Sequence, residues 1–227
     1  MLYYKVDMSR KWKIALDEYY HVYNRGVEKR DIFMNTADHQ RFQTSLYVYN
    51  TSQRVTFRDI ASNPYNFKKE DSLLSIGAYC LMPNHFHLLV RETVEGGISN
   101  FMQKLSTSYT MYFNTKYDRT GSLFQGSFKA EHLHTDPYLR HIFSYIHLNP
   151  LSIIEPEWDQ SKSVSDSGKA QEFLQNYRHS SYIDYLDTDR LEKKILAKNL
   201  FPNYFQTKKD FEHLHSEWLK STNEPIT

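Results

Sequence analysis

Residues 80–90 read CLMPNHFHLLV, and this stretch decides the fold. Two apolar runs flank Pro83-Asn84, a dipeptide typical of a tight turn. After the turn, polar and apolar residues alternate with the period of a half-buried β-strand. Alternate side chains of a strand point to opposite faces, so His85 and His87 share one face. The stretch therefore predicts two strands joined at the turn, the second with two imidazoles on one surface and Phe86 on its core side.

Two imidazoles on a rigid strand form half of a divalent-metal site. An isolated H-x-H pattern, however, more often consists of ordinary surface or hydrogen-bonded histidines. The rest of the chain has to decide between these interpretations. The single cysteine, Cys80, lies in the preceding apolar run, and we interpret it as a buried small hydrophobe rather than as a catalytic thiol.

Composition narrows the class of protein. The chain has 227 residues, 15% of them aromatic, which is enough for a packed core. It contains no apolar run of about 18 residues, so no membrane span is expected, and its start lacks an apolar signal region. One cysteine cannot form an internal disulfide, which fits the cytoplasm. The net charge of +1 gives no overall signal for nucleic acid.

Periodicity outside the hairpin predicts the remaining elements. Residues 19–23 are β-prone, residues 37–50 and 98–117 have helical spacing, and residues 122–134 indicate a further strand region. The order is therefore β-α-β-β-α-β. It predicts an α+β, ferredoxin-like (RRM-like) antiparallel sheet with two helices on one face. The other face remains available for the histidines.

A further helix follows this unit, over DPYLRHIFSYIHLN (136–149). Asp136 is predicted as its N-cap. Tyr145 lies four residues before Asn149, so both occupy one helical face. Pro150 is expected to end the helix and to move Asn149 out of the α region. Asn149 is then either a C-terminal cap or an oxygen ligand for a hard cation. Tyr145, taken by itself, is more often a core residue than a catalytic one.

Four stretches together resemble a known family, the REP-associated tyrosine transposases. These are relatives of the single-tyrosine transposases of small insertion sequences, within the wider HUH nuclease group. The stretches are YHVYNRG (20–26), LMPNHFHLLV (81–90), GSLFQGSFKAEHL (121–133) and YIHLNPL (145–151). The H-x-H followed by Tyr-Ile-x-x-Asn-Pro is the specific part of this signature, and the resemblance extends over roughly residues 19–186.

The resemblance implies a site and an activity. His85 and His87 would bind Mg²⁺ or Mn²⁺, and Asn149 would complete the metal site. Tyr145 would be the nucleophile that attacks a phosphodiester of single-stranded DNA, leaving a 5′-phosphotyrosine and a free 3′-hydroxyl. The reverse attack would rejoin strands. The implied substrate is a palindromic, REP-like hairpin with a short flanking single strand. The resemblance leaves the oligomeric state open between a monomer and a homodimer with exchanged tyrosine helices.

Basic side chains are candidates for phosphate contacts, with an ordinary solvated surface as the alternative interpretation. The candidates are Arg25, Lys104, Lys116, Arg119, Lys129 and Arg140.

We predict two regions: a transposase domain over residues 1–157, and a linker with a helical C-terminal extension over residues 158–227. The stretch DQSKSVSDSGKA (159–170) has the composition of a flexible loop. Two other function classes remain open. One is a non-catalytic nucleic-acid-binding module on the same fold, and the other is a metal-dependent nuclease that uses water as the nucleophile.

Overall fold

Four strands form one antiparallel sheet in the order β2-β3-β1-β4. They are β1 (Tyr19–Arg25), β2 (Leu74–Met82), β3 (His85–Glu92) and β4 (Lys129–His132). The computed structural model describes residues 14–60, 63–158, 163–204 and 207–220. Helices separate β1 from β2 and β3 from β4, and β2 and β3 form a hairpin. The predicted α+β, ferredoxin-like fold is confirmed.

Two helices cover one face of the sheet, here called the α1/α2 face. They are α1 (Thr36–Val48) and α2 (Gly97–Lys116). Phe42 of α1 and Leu105 of α2 pack in one buried cluster with Phe86 of β3. The start of α2 lies against the backbone of Leu73, where a Cβ added at Gly97 would lie 2.0 Å from the Leu73 carbonyl oxygen. Phe86 therefore faces this core, as the alternation in β3 predicts.

Helix α3 (Asp136–Leu148) packs on the opposite face, here called the α3 face. Its Leu139 and Ile146 are buried in a second cluster with Cys80 and Leu89 of the sheet. Cys80 is fully buried, and burial raises the pKa of its thiol well above the usual range. The interpretation of Cys80 as a small core hydrophobe agrees with this placement.

Both ends of α3 differ from the prediction. Thr135, not Asp136, is the N-cap, because Thr135 has an extended backbone and its side chain accepts from the Tyr138 amide. Either residue type can cap a helix, and only the backbone conformation distinguishes them. Asn149 keeps α-helical angles (φ −52°, ψ −36°), since its amide donates to the Tyr145 carbonyl and a 3₁₀ turn, Asn149–Ile153, continues the helix. Pro150 suits the first turn of that 3₁₀ segment, where a missing amide donor costs nothing.

The strand predicted over residues 122–134 is shorter than expected, because only β4 joins the ladder. The loop prediction over residues 159–170 is wrong at its end. Helix α4 (Ser167–Asn176) begins there, and the Asp166 side chain caps it by accepting from the amides of Gly168 and Lys169. Residues 159–162 lie outside the described residues. A last helix, α5 (Lys208–Lys220), follows.

The segment after α4 runs along the free edge of β2. Cys80 and Ser180 form an isolated antiparallel bridge, and the Leu81 amide donates to the His179 carbonyl. A buried ion pair joins Arg190 to Asp184, and Arg190 also donates to the Tyr79 hydroxyl of β2. This segment also packs against α3, where the fully buried His147 is hydrogen-bonded to the Ser181 hydroxyl over 2.8 Å.

Candidate functional site

The strand register gathers polar side chains on the α3 face. Tyr23 of β1 lies directly opposite His87 of β3, and His21 of β1 lies directly opposite Glu131 of β4. Directly paired residues of neighbouring strands point to the same face. These four side chains and His85 therefore form one polar surface, beside the apolar part of the face that α3 covers.

His85 is held in one orientation by its neighbours. Its Nδ1 lies 2.6 Å from the Asn84 side-chain oxygen, and the Asn84 amide nitrogen donates to the Lys29 carbonyl. The Asn84 amide is thereby oriented with its oxygen toward His85, so Nδ1 of His85 carries the proton and donates. In the neutral ring, the other nitrogen, Nε2, then carries the lone pair.

That lone pair faces a second acceptor. His85 Nε2 lies 3.3 Å from the Asn149 side-chain oxygen. When the His85 ring is neutral with its proton on Nδ1, these two acceptors face each other, and a cation between them would satisfy both. Asn149 is 99% buried and sits just after α3, so this oxygen is fixed by the packing of the helix.

His87 completes the donor set as a neutral imidazole. It is buried, and its Nδ1 lies 2.8 Å from His21 Nε2. Burial, reinforced by the neighbouring His21 and His85, holds the pKa of His87 well below its usual value. Neutral imidazole is the form that binds metal.

His85, His87 and Asn149 together offer two imidazole nitrogens and one amide oxygen, a donor set that could hold a divalent cation through part of its coordination shell. Two nitrogens and one amide oxygen leave coordination positions for phosphate oxygens and water. Within residues 14–60, 63–158, 163–204 and 207–220, no three or more His, Cys, Asp and Glu side chains form a complete metal cluster. The protein residues would therefore hold the ion only in part, as suits an ion shared with a substrate.

Tyr145 reaches the same surface from α3. Its ring centroid lies 5.4 Å from that of His87 and 6.1 Å from that of His21, edge-on in both cases. Tyr145 is half-buried rather than enclosed in the core. One turn of helix separates Tyr145 from Asn149, so α3 places the phenol and the amide beside the histidines together. Both come from the same chain as the histidines.

Sequence reasoning gave no role to His21, Glu131 or Tyr23. Tyr23 donates to Glu131 over 2.6 Å, and His21 Nδ1 lies 3.9 Å from the other oxygen of that carboxylate. The alternation of YHVY places His21 and Tyr23 on one face of β1. Their proximity to His87 and Glu131 depends on a register that the sequence does not display.

The basic residues predicted to bind DNA fall into two groups. Arg25 and Lys129 are exposed at the histidine end of the sheet, where Arg25 pairs with His85 in the ladder, and Arg140 is exposed on α3. The other three lie on or just after α2, where Lys104 bonds to backbone carbonyls including that of Thr51, Lys116 to Asp38, and Arg119 to Asn114. Arg25 of the first group also makes an intrachain bond, to the Gln125 side-chain oxygen. Since α2 covers the opposite face, the structure does not bring this second group to the histidines, and its role in DNA binding stays a prediction.

Fold and site define a class: a ferredoxin-like α+β protein whose sheet presents a histidine pair to a tyrosine on a packed helix. Residues 65–149 match the model of the family described as Transposase IS200 like. A solved structure, of a REP-associated tyrosine transposase bound to a REP hairpin, aligns with 87% of this chain and 89% of its own. Its TM-score is 0.50 at 14% sequence identity, which shows a common fold. The resemblance drawn from the motifs is thereby confirmed: residues 65–149 are similar to the IS200-like transposases, and the fold is that of a REP-associated tyrosine transposase.

No protein of curated function matches the chain significantly. Across the described part of the chain, none of the helices has the length and hydropathy needed to cross a bilayer.

Proposed function

We propose that this protein is a metal-dependent transposase that cleaves and rejoins single-stranded DNA at hairpin, REP-like sequences through a 5′-phosphotyrosine intermediate. The observation that carries the proposal is the approach of His85 Nε2 to the Asn149 oxygen, 3.3 Å away, one helical turn from a tyrosine packed against His87. The family match over residues 65–149 supports the same class of reaction.

Tyr145 acts as the nucleophile in this proposal. Its phenol oxygen attacks the phosphorus, the Oη–P bond forms as the P–O3′ bond breaks, and the 3′-oxygen leaves with the electron pair. The phenol proton passes to water, and the departing 3′-oxygen takes up a proton. A phenol with an ordinary pKa near 10 is a weak nucleophile and requires activation by a nearby cation or base. When bound, Mg²⁺ or Mn²⁺ supplies Lewis-acid polarisation of the phosphoryl oxygens.

His85, His87 and Asn149 would hold the ion, and each is oriented before any substrate arrives. Asn84 fixes the His85 ring, His21 contacts His87, and α3 fixes Asn149. Preorganised ligands need no rearrangement when the phosphate binds, which lowers the cost of reaching the transition state. Rejoining is the same reaction reversed: a 3′-hydroxyl attacks the phosphotyrosine and Tyr145 leaves.

Hairpin DNA is the proposed substrate because the structural relative is bound to a REP hairpin. Arg25 and Lys129 are exposed beside the histidines and can contact backbone phosphates of the DNA. Arg140, exposed on α3, can make the same kind of contact. We also propose that residues 158–227 form an extension that supports α3 from behind. Location in the cytoplasm and a homodimer stay predictions, and the proposed site needs no residue from a second subunit.

A covalent-adduct assay tests the proposal. Single-stranded hairpin DNA carrying a label at its 3′ end is incubated with protein and Mn²⁺, then run on a denaturing gel. We expect a labelled band at the mass of the protein, and Tyr145→Phe should abolish it while DNA binding persists. Tyr47→Phe is the control, since Tyr47 lies on α1 on the opposite face of the sheet, where its hydroxyl donates to the Phe67 carbonyl, and its adduct should remain.

The other function classes give different outcomes in the same assay. Labelled cleavage product without a protein-sized band, surviving in Tyr145→Phe, would identify a nuclease that uses water. Binding without any cleavage by the wild-type protein would identify a nucleic-acid-binding module.

A further inference from the structure

His21 of β1 connects His87 of β3 to the carboxylate of Glu131 on β4. His21 Nε2 lies 2.8 Å from His87 Nδ1, and the two rings are stacked with centroids 5.0 Å apart. On its other side, His21 Nδ1 lies 3.9 Å from a Glu131 oxygen and has no hydrogen-bond partner within the described residues. The side chain of His21 is 94% buried. Water therefore has little access to either ring nitrogen of His21.

The carboxylate at the end of this chain is itself fixed. Tyr23 donates to one oxygen of Glu131 over 2.6 Å, and Tyr138 of α3 donates to the other over 3.3 Å. The contact with His21 and these hydroxyl donors hold the pKa of Glu131 to about 2, so the group is a carboxylate at neutral pH. Its charge lies on the Nδ1 side of His21.

When both imidazoles are neutral, the hydrogen bond between them has two possible directions, and these have opposite consequences. If His87 Nδ1 donates to His21 Nε2, His87 Nε2 has a free lone pair and His21 carries its proton on Nδ1, beside Glu131. If His21 Nε2 donates instead, His87 Nε2 carries the proton and cannot bind a metal. In that neutral pair, a negative charge beside His21 Nδ1 favours a proton at that atom, and therefore favours the first direction.

We propose that His21 and Glu131 are positioning residues that fix His87 in the tautomer whose Nε2 is free to bind the metal. The inference rests on the proposed function, because it gives the metal site a supporting pair. Buried polar partners of this kind typically orient a ligating imidazole and raise its basicity. His85 receives the corresponding support from Asn84, so each imidazole of the pair has its own partner.

The test reads the tautomer directly. Long-range ¹H–¹⁵N correlation spectra of ¹⁵N-histidine-labelled, metal-free protein distinguish protonated Nδ1 from protonated Nε2, and His87→Gln assigns the His87 signals. His21→Leu removes the acceptor, whereas His21→Gln keeps an amide oxygen that can accept from His87 Nδ1. The control is His132→Leu. His132 is an exposed histidine of β4 paired with Glu18.

We expect wild-type His87 to carry its proton on Nδ1. His21→Leu should lose this single tautomer and bind Mn²⁺ roughly 10- to 100-fold more weakly, as for other lost supporting partners of metal ligands. Mn²⁺ binding is measured by the paramagnetic resonance signal of the free ion. His21→Gln should recover most of the affinity and the Nδ1 tautomer, and His132→Leu should match the wild type in both measurements.

Protonated Nε2 on wild-type His87, or unchanged Mn²⁺ affinity in a folded His21→Leu protein, would overturn the proposal. If His21→Leu fails to fold, the wild-type tautomer and the His21→Gln protein decide the question. A wild-type protein that shows the Nδ1 tautomer but binds no Mn²⁺ would support the positioning pair and contradict the metal site of the proposed function. The two proposals can therefore fail separately.

Discussion

Replacing Arg190 by alanine should strongly destabilise the fold, because Arg190 is the partner of a buried carboxylate. Its guanidinium donates to both oxygens of Asp184, over 2.7 and 2.6 Å. The side chains of Arg190 and Asp184 are 3% and 0% exposed. The same guanidinium donates to the Tyr79 hydroxyl of β2 and to two backbone carbonyls, those of Arg178 and Ser180. One side chain thus joins the C-terminal segment to the sheet edge.

Truncation leaves the Asp184 carboxylate buried without its guanidinium. Burial already raises the pKa of Asp184 with Arg190 in place. Removing one partner of a buried ion pair typically costs about 3–5 kcal/mol, largely as the penalty for the charge left behind. We expect a loss of that size in the free energy of unfolding.

Lys193→Ala is the matched control. Lys193 and Asp189 form an ion pair with the same 2.6 Å separation, but their side chains are 55% and 95% exposed. An exposed pair contributes about 0.2–1 kcal/mol, and an i,i+4 pair about 0.3–0.5 kcal/mol. The two substitutions therefore separate the effect of burial from the effect of ion-pair distance.

Urea unfolding followed by far-ultraviolet circular dichroism measures both losses. The double variant Asp184→Asn with Arg190→Met should recover part of the stability, because it removes the uncompensated charge. Equal losses in Arg190→Ala and Lys193→Ala, within about 1 kcal/mol, would refute the assignment of the buried pair as a main attachment of the C-terminal segment.

Three further predictions concern the site and the buried histidines. Asn149→Ala should weaken Mn²⁺ binding about tenfold or more while hairpin binding is kept, because the change removes one ligand oxygen. Mn²⁺ titration measures the metal affinity, and a gel-shift assay measures hairpin binding. Unchanged Mn²⁺ affinity would contradict the ligand assignment. Chelation with EDTA should abolish the covalent adduct and added Mn²⁺ should restore it, with full adduct formation in EDTA as the contrary result. Burial lowers the pKa of His215 to about 4, so the folded state resists a proton that the unfolded state takes up near pH 6.5. The contribution of neutral His215 to the free energy of unfolding is fully present above pH 6.5 and falls as the pH drops toward 4, by about 2 kcal/mol between pH 7 and pH 5. Urea unfolding at these two pH values should show a smaller loss of stability in His215→Phe than in the wild type. An equal loss in both proteins would contradict the prediction.

Local sequence pattern predicted those parts of the protein that depend on short-range geometry. The alternation in β3 predicted that Phe86 faces the core and that His85 and His87 lie on the other face. Helical spacing predicted that Tyr145 and Asn149 lie together. These relations depend only on the period of a strand or a helix, which a few residues fix by themselves.

Two predictions for α3 were wrong, because the local sequence allowed two conformations at each end of the helix. Thr135 and Asp136 are both good caps, and the chain direction entering α3 decided for Thr135. The restriction before Pro150 is a bias, and the hydrogen bond from the Asn149 amide to the Tyr145 carbonyl outweighed it. Lys104 and Lys116 bond to backbone carbonyls and to the Asp38 carboxylate, which their sequence does not display, and their role in DNA binding stays a prediction.

The sequence by itself determined the order of elements, the face of each strand and helix that carries the chemistry, and the family signature. Only the tertiary structure decided which residues meet: His21 beside His87, Glu131 beside His21, and Asn149 beside His85. The reason is that side-chain period is a property of one segment, whereas strand register and helix docking are set by the packing of the whole core. Contacts between segments far apart in the chain therefore appear only once that packing is known.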